Sequence, residues 1–466
     1  MNNARISRLR LAAFTLPVLL FQAIELIWRA YLPRFLTLDV GITLGAVGGL
    51  MLGARLLDAI ADPVLGWLSD TIRTPLGQRK PWMAIGALLV PIGSLALFLA
   101  PAGSGLIHIM LASAMLHLGY SFIVTPHGGW GLELSDDTHQ RTRIMGAKIW
   151  FSMAGAISLL ALMAVIERGF ALSLRVEMAL VGGMIAFLAP LTVFTVLSLF
   201  TERAEPVAAP ASGGPLTLIQ TMLRDRRMRP ILLLYVLSGI GDAAAAGTFL
   251  FVAEDALGLE GWGALLMLVQ PVVALMTLPL WGRLSARIGR RHVLMIAYGW
   301  QALTMPFLFL VPIEMPLAFA AWLMARALGW GVDYMLLRAM VADLADQEGK
   351  GVRPMAGSYY GISSITLKLA MGVGGGGALW FLDLLQSESG GSAGDVAIRL
   401  AHVSPAIAAT LAALLILARW PSTGRHNDGG PPKRSNWSAS CAPAPGLRVR
   451  DLSSRPDRCQ RERWRA

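Results

Sequence analysis

Three ionisable residues, Arg55, Asp58 and Asp62, stand in "ARLLDAIADPVLGW" (54–67), a stretch otherwise apolar enough for the middle of a lipid-spanning helix. A charged side chain at a bilayer centre costs about 2.5–3.5 kcal/mol on insertion scales, so three in one segment imply a task. Their spacing, i, i+3 and i+7, sets them on one helical face about two turns long. Two carboxylates so placed suit a proton or a hard cation such as Na⁺. Pro63 has no N–H to give to the carbonyl of Ala59, which leaves a backbone oxygen spare beside them. A salt bridge that only holds the helix in place is the plainer reading, but one arginine cannot balance two carboxylates. Lys368, in "SSITLKLAMGVGGGG", has apolar neighbours for more than a turn on both sides and is the candidate second cation. Simple snorkelling would suit a lysine nearer a helix end.

The elements that must position these residues are membrane helices. Hydrophobic residues make up 55% of the 466 and charged residues only 15%, against about 25% charged in a soluble domain. The mean hydropathy is +0.58. Apolar runs of about 20 residues, enough to cross a bilayer, recur near 11–33, 43–67, 83–101, 106–130, 145–166, 172–200, 230–252, 262–281, 293–312, 316–340, 357–383 and 400–419. The fold class expected is all-α integral membrane, with about twelve spans. The first run follows Arg5, Arg8 and Arg10 like a signal peptide, but it is long, contains Glu25 and Arg29, and reads as a retained helix.

Basic residues collect in alternate connections: Arg73, Arg79 and Lys80, then Arg141 and Arg143, then 224–229, then Arg287, Arg290 and Arg291. The other connections, such as "APAGSG" and "EDALGLEG", are short, polar or acidic. The positive-inside rule makes the basic set cytoplasmic, and an even number of spans places both termini there, in a bacterial-type inner (plasma) membrane. The net charge of +11 is spread over this face and the tail, so it does not indicate nucleic-acid binding. Cys441 and Cys459 are the two cysteines, and the seven histidines show no metal-ligand spacing, which argues against an enzyme, a resident cofactor or a disulfide framework.

A polar, Pro- and Gly-bearing linker at 201–228 separates six spans in residues 1–200 from six in 229–420. "PVLGWLSD" (63–70) is echoed by "PLWGRLSA" (279–286), and "LSDDTHQRTRIMG" (134–146) by "LADQEGKGVRPMAG" (344–357), at matching places in the two halves. Such repeats mark transporters that rock one half against the other. Residues 421–466 are basic, rich in Pro and Ser, and expected to be disordered.

The pattern "RLLDAIADPVLGWLSDTIRTPLGQRKPW" (55–82) resembles the second span and following loop of the glycoside–pentoside–hexuronide:cation symporters, the melibiose permease-like branch of the major facilitator superfamily. The resemblance continues in "ELSDDTHQRTRIMG" (133–146) and "MVADLADQEGKGVRPMAGSYYGISSITLKL" (340–369). It implies two six-helix bundles and alternating access. It also implies a cation site at Asp58 and Asp62, with Arg55, Ser121 and Lys368 assisting, and a cytoplasmic gate of Asp70, Arg79, Lys80, Asp137, Arg141 and Arg143. Departures concern the sugar site: Gln22 stands for a first-span Asp, Val124 for a fourth-span Asp, Gly128 for its neighbouring Trp, and Ile149 for a fifth-span Arg. Ala61 stands where some Na⁺-using members have Asn, so H⁺ is at least as strong a candidate co-ion as Na⁺.

Gln22, Glu25, Trp130, Lys148, Trp150 and Asp242 remain as candidate substrate contacts. Arg29, Arg326, Asp333 and Arg338 also fall within spans. The expected function is cation-coupled symport of a sugar, glycoside or uronide by a protein that works as a monomer. A lysophospholipid or other amphipathic cargo is the rival within the superfamily.

Overall fold

The computed structural model describes residues 6–134, 138–170, 172–202, 225–348, 356–388 and 394–420. The expected linker falls mostly outside them, as does the expected disordered tail. Among the described residues the chain is helical apart from turns and one isolated bridge between Thr74 and Gly77.

Among the described residues, eleven helices are long and apolar enough to cross a membrane. α1 runs continuously over Arg8–Val40, with π-helical turns at Ile27–Tyr31 and Leu36–Val40. Ser7 caps its start by accepting from Arg10 N, and Gly41 ends it with φ of 89°. α2 (Leu44–Thr71) starts at a Thr43 cap and passes through Pro63 as one helix. α3 (Lys80–Phe98), α4 (Leu106–Glu133), α5 (Thr138–Val165, extended by a π turn to Phe170) and α6 (Leu174–Leu199) follow. Then come α7 (Met228–Ala256), α8 (Gly263–Ile288) and α9 (Arg290–Thr304).

The span expected near 316–340 is broken, which accounts for eleven long helices where about twelve spans were expected. α10 (Pro316–Ala327) stops, four residues turn, and α11 (Val332–Glu348) resumes. Gly331 takes φ of 78°, a conformation that interrupts a helix at little cost only for glycine. The freed carbonyls are satisfied by side chains: Trp281 Nε1 donates to Leu328 O at 2.6 Å and Gln301 Nε2 to Gly329 O at 3.0 Å. In a lipid environment such a break persists only where partners replace the lost bonds. α12 (Ala356–Glu388) and α13 (Asp395–Arg419) complete the bundle.

In the N-terminal part α3 packs on α4 and α6, and α1 on α5 and α6. In the C-terminal part α7 packs on α12 and α13, and α9 on α13. α2 meets α12, α5 meets α8, and α1 meets α7 across the middle. Gly48 and Gly376 make the α2–α12 approach feasible: a Cβ on Gly48 would lie 2.5 Å from Gly376 O.

Candidate functional site

The charged face of α2 is met by α1, α4 and α12. Arg55 donates from Nη1 to Glu25 Oε1 at 3.0 Å and from Nη2 to Glu25 Oε2 at 2.6 Å. Its Nη1 also reaches Asp58 Oδ2 at 3.1 Å. Arg55 and Asp58 are 3% and 1% exposed, so this is a buried, charge-assisted network rather than a surface pair. One turn further along, Lys368 Nζ pairs with Asp62 Oδ2.

α4 supplies a polar stripe opposite. His117, Ser121 and Thr125 follow one another at i, i+4 and i+8, which keeps them on one face. His117 Nδ1 is 3.1 Å from Asp58 Oδ1, and Thr125 Oγ1 donates to Asp62 Oδ1 at 3.3 Å. Ser121 Oγ lies between them along the helix, is fully buried, and has no hydrogen-bond partner among the described residues. Trp28 packs edge-on against the His117 ring at 4.1 Å between centroids. Three carboxylates, two fixed cations and an idle hydroxyl thus form one cluster between α1, α2, α4 and α12.

Next to this cluster a cavity of about 690 Å³, its open mouth included, lies between the two parts of the chain. Gln22 and Arg29 of α1, Asp242 of α7, Gln270 of α8, Arg326 of α10 and Trp330 of the α10–α11 break provide its polar wall. Asp242 ties the wall together, accepting from Arg29 Nη1 at 3.4 Å and Trp330 Nε1 at 2.8 Å. Gln22 Oε1 accepts from Ser152 at 2.9 Å.

Further contacts join the two parts of the chain nearer the C-terminal end of α1. Tyr31 O–H donates to Glu167 Oε1 at 3.1 Å, and Ala264 N to Glu167 Oε2 at 2.9 Å. Arg34 bridges Glu254 at 2.8 Å and Asp255 at 3.0 Å.

The sequence-predicted residues divide. Arg55, Asp58, Asp62 and Lys368 come together, and Gln22 and Asp242 line the cavity. Glu25, expected to meet substrate, accepts two hydrogen bonds from Arg55 and is not among the residues that line the cavity. Trp130 is not on the cavity: it is 2% exposed and packs against Phe14 and Phe200. Trp150 is 67% exposed on the outer surface of α5, and Lys148 is half-buried near Gly131, away from the cavity lining.

Of the expected gate, Arg79 is buried and donates to Ser69 Oγ at 2.8 Å, Lys80 Nζ reaches Leu197 O at 2.9 Å, and Arg143 reaches Ile6 O at 2.7 Å. The side chains of Asp70 and Arg141, and the whole of Asp137, fall outside the described residues. Glu202, which no sequence motif marks, receives the backbone N–H groups of Gln78, Arg79 and Lys80 at the start of α3. His117, Thr125, Gln270 and Trp330 are further members absent from the sequence-based set. For the first two, the i, i+4, i+8 run with Ser121 was the available signal.

Comparison with known proteins agrees with this architecture. An uncharacterized symporter of Synechocystis sp. is 30% identical over 39% of this chain and 35% of its own length. The glucuronide carrier protein homolog of Escherichia coli is 25% identical over 74% of this chain and 77% of that protein. The crystal structure of the nucleoside transporter NupG superposes with a TM-score of 0.64 over 89% of this chain and 100% of that one, at 16% identity, which speaks to the fold alone. The MFS/sugar transport protein family matches residues 13–423, in keeping with the resemblance to glycoside–cation symporters. The chain therefore belongs to that family, as a multi-pass membrane transporter and not an enzyme.

Proposed function

We propose that this protein is a symporter that couples a monovalent cation, H⁺ or Na⁺, to movement of a sugar, glycoside or uronide by alternating access. The observation that carries the reading is the joining of two groups across the middle of the bundle: Asp62 of α2 is held by Lys368 of α12, directly beside the Arg55–Asp58–His117 network. A cation arriving at Asp58 or Asp62 competes with these protein cations. It thereby alters the α2–α12 contact, and α12 packs on α7, which lines the neighbouring cavity. Ion and substrate then bias the same two-state element, which is the thermodynamic requirement for coupling.

Ser121 Oγ, buried and without a partner among the described residues, supplies an oxygen suited to such an ion. His117 against Asp58 supplies a proton acceptor in the same pocket, which keeps H⁺ in contention. Apolar side chains make up most of the cavity lining, and it is the hydrogen-bonding groups set among them, on Gln22, Arg29, Asp242, Gln270, Arg326 and Trp330, that support a hydroxylated cargo over a lysophospholipid. An inner-membrane location with both termini cytoplasmic is part of the same reading and rests on the arginine-rich connections.

The test is uptake into cells or vesicles with Na⁺ and pH gradients imposed separately, in the unaltered protein and in Asp58→Asn and Asp62→Asn. Both variants are expected to insert and remain monodisperse while losing gradient-driven accumulation. Active accumulation that survives both substitutions overturns the coupling role.

A further inference from the structure

We propose that the cavity is an anion subsite, and that Arg326 holds a single carboxylate carried by the substrate. This rests on reading the cavity as the substrate site and deepens that reading by naming the charge of the cargo.

Some polar groups on the cavity wall are idle. Arg326 is 6% exposed and its guanidinium makes no hydrogen bond or ion pair among the described residues; its contact is with the Trp322 ring, 5.9 Å from the centroid. It lines both this cavity and the smaller recess behind it. The carboxylate whose charge reaches Arg326, that of Asp242, is held by Arg29 and Trp330, and a buried guanidinium with no hydrogen bond to an anion leaves room for a further counter-charge. Two further donors on the same wall are buried and unbonded among the described residues, Arg29 Nε and Gln270 Nε2.

The acceptors are in the opposite condition. Both carboxylate oxygens of Asp242 are engaged, one by Arg29 and the other by Trp330, and Gln22 Oε1 is taken by Ser152. The cavity therefore presents more idle donors than idle acceptors, Gln270 Oε1 being an acceptor without a hydrogen bond among the described residues. Such a wall selects a ligand rich in acceptor oxygens and penalises one that brings only further donors.

Charge narrows the class. Two guanidiniums, Arg29 and Arg326, less one carboxylate, Asp242, leave one positive charge on the lining. Asp333 belongs to the recess and not to this cavity. A monoanion neutralises the lining, whereas a phosphate dianion would overshoot it. A planar carboxylate also matches the two-pronged face of a guanidinium. The Trp330 indole, fixed through Nε1 to Asp242, stands beside this point as a flat apolar surface for a sugar ring.

The experiment measures thermal unfolding of the full chain in detergent with D-glucuronate, its neutral counterpart D-glucose, D-glucose 6-phosphate and acetate as probes. D-Glucuronate should raise the unfolding temperature at concentrations about ten- to a hundredfold lower than D-glucose, the range set by one unmet buried charge contact. Glucose 6-phosphate should be weaker than the uronate. Arg326→Gln should abolish the preference for the acid, and Arg326→Lys, which keeps the charge and guards against a folding artefact, should retain part of it. Equal binding of glucose and glucuronate, no stabilisation by glucuronate, or an undiminished preference in Arg326→Gln overturns the proposal. Gradient-driven glucose accumulation without glucuronate binding would sink the anion subsite and leave the symporter reading standing. Stabilisation by acetate as strong as by glucuronate would support the anion subsite and count against a sugar cargo.

Discussion

Removing Arg55 tests whether the charged face of α2 works as one balanced network. In the folded protein Arg55 is the shared partner of Glu25, through two hydrogen bonds, and of Asp58, through one. Arg55→Gln leaves both carboxylates without their cation, with Asp58 1% exposed and the Glu25 side chain 20% exposed. Breaking a fully buried ion pair costs about 3–5 kcal/mol, and the partial exposure of Glu25 brings the expectation to about 2–4 kcal/mol. Adding Glu25→Gln removes one of the stranded charges, and the two Gln amides can bond to each other. The double variant should therefore regain more than half of the loss, giving a coupling energy of about 1–3 kcal/mol between the two positions. Thermal and denaturant unfolding of the four proteins of the cycle, followed by tryptophan fluorescence in detergent, reads this directly. If the two substitutions add independently within about 0.5 kcal/mol, the network description is wrong and Glu25 is free to act elsewhere.

Three other outcomes follow from the same structure. Gly376→Ala places a Cβ against Gly48 O and should destabilise by about 1–3 kcal/mol and depress uptake, whereas Gly377→Ala, with no neighbour within 4 Å, should do neither; equal behaviour of the two refutes a close α2–α12 seam. Glu202→Gln weakens the carboxylate cap on Gln78, Arg79 and Lys80 and should lower stability by about 1–2 kcal/mol in thermal unfolding, so an unchanged unfolding temperature would show that α3 does not depend on it. Arg34→Gln removes the cation that joins α1 to Glu254 and Asp255 of α7, which should loosen this contact and raise the reactivity of a cysteine at Ala246 toward a bulky thiol reagent by about 5- to 150-fold, and unchanged reactivity shows that Arg34 does not restrict access to the cavity.

Much of this molecule is legible without its fold. The membrane class, the run of spans and the grouping of Arg55, Asp58 and Asp62 on one face follow from hydropathy and helical period, both local properties of the chain. Lys368 could be nominated as their partner because an unpaired lysine in an apolar segment needs one. What helical period does not contain is which helix comes to lie against that face. Glu25 and Gln22 are one turn apart in α1, yet Glu25 bonds Arg55 while Gln22 lines the cavity, and only the packing around α1 separates them. Trp130 and Trp150 were equally eligible by residue type; tertiary packing put one in the core and the other on the outer surface. The break at Gly331 is hard to see in an apolar run, because it persists only through side chains of α8 and α9 that bond its carbonyls. Local sequence thus determined that charges sit in the membrane and how they are spaced. The tertiary structure alone decided which of them are balanced and which, like Arg326, are left facing a cavity, since that balance depends on contacts between residues hundreds of positions apart.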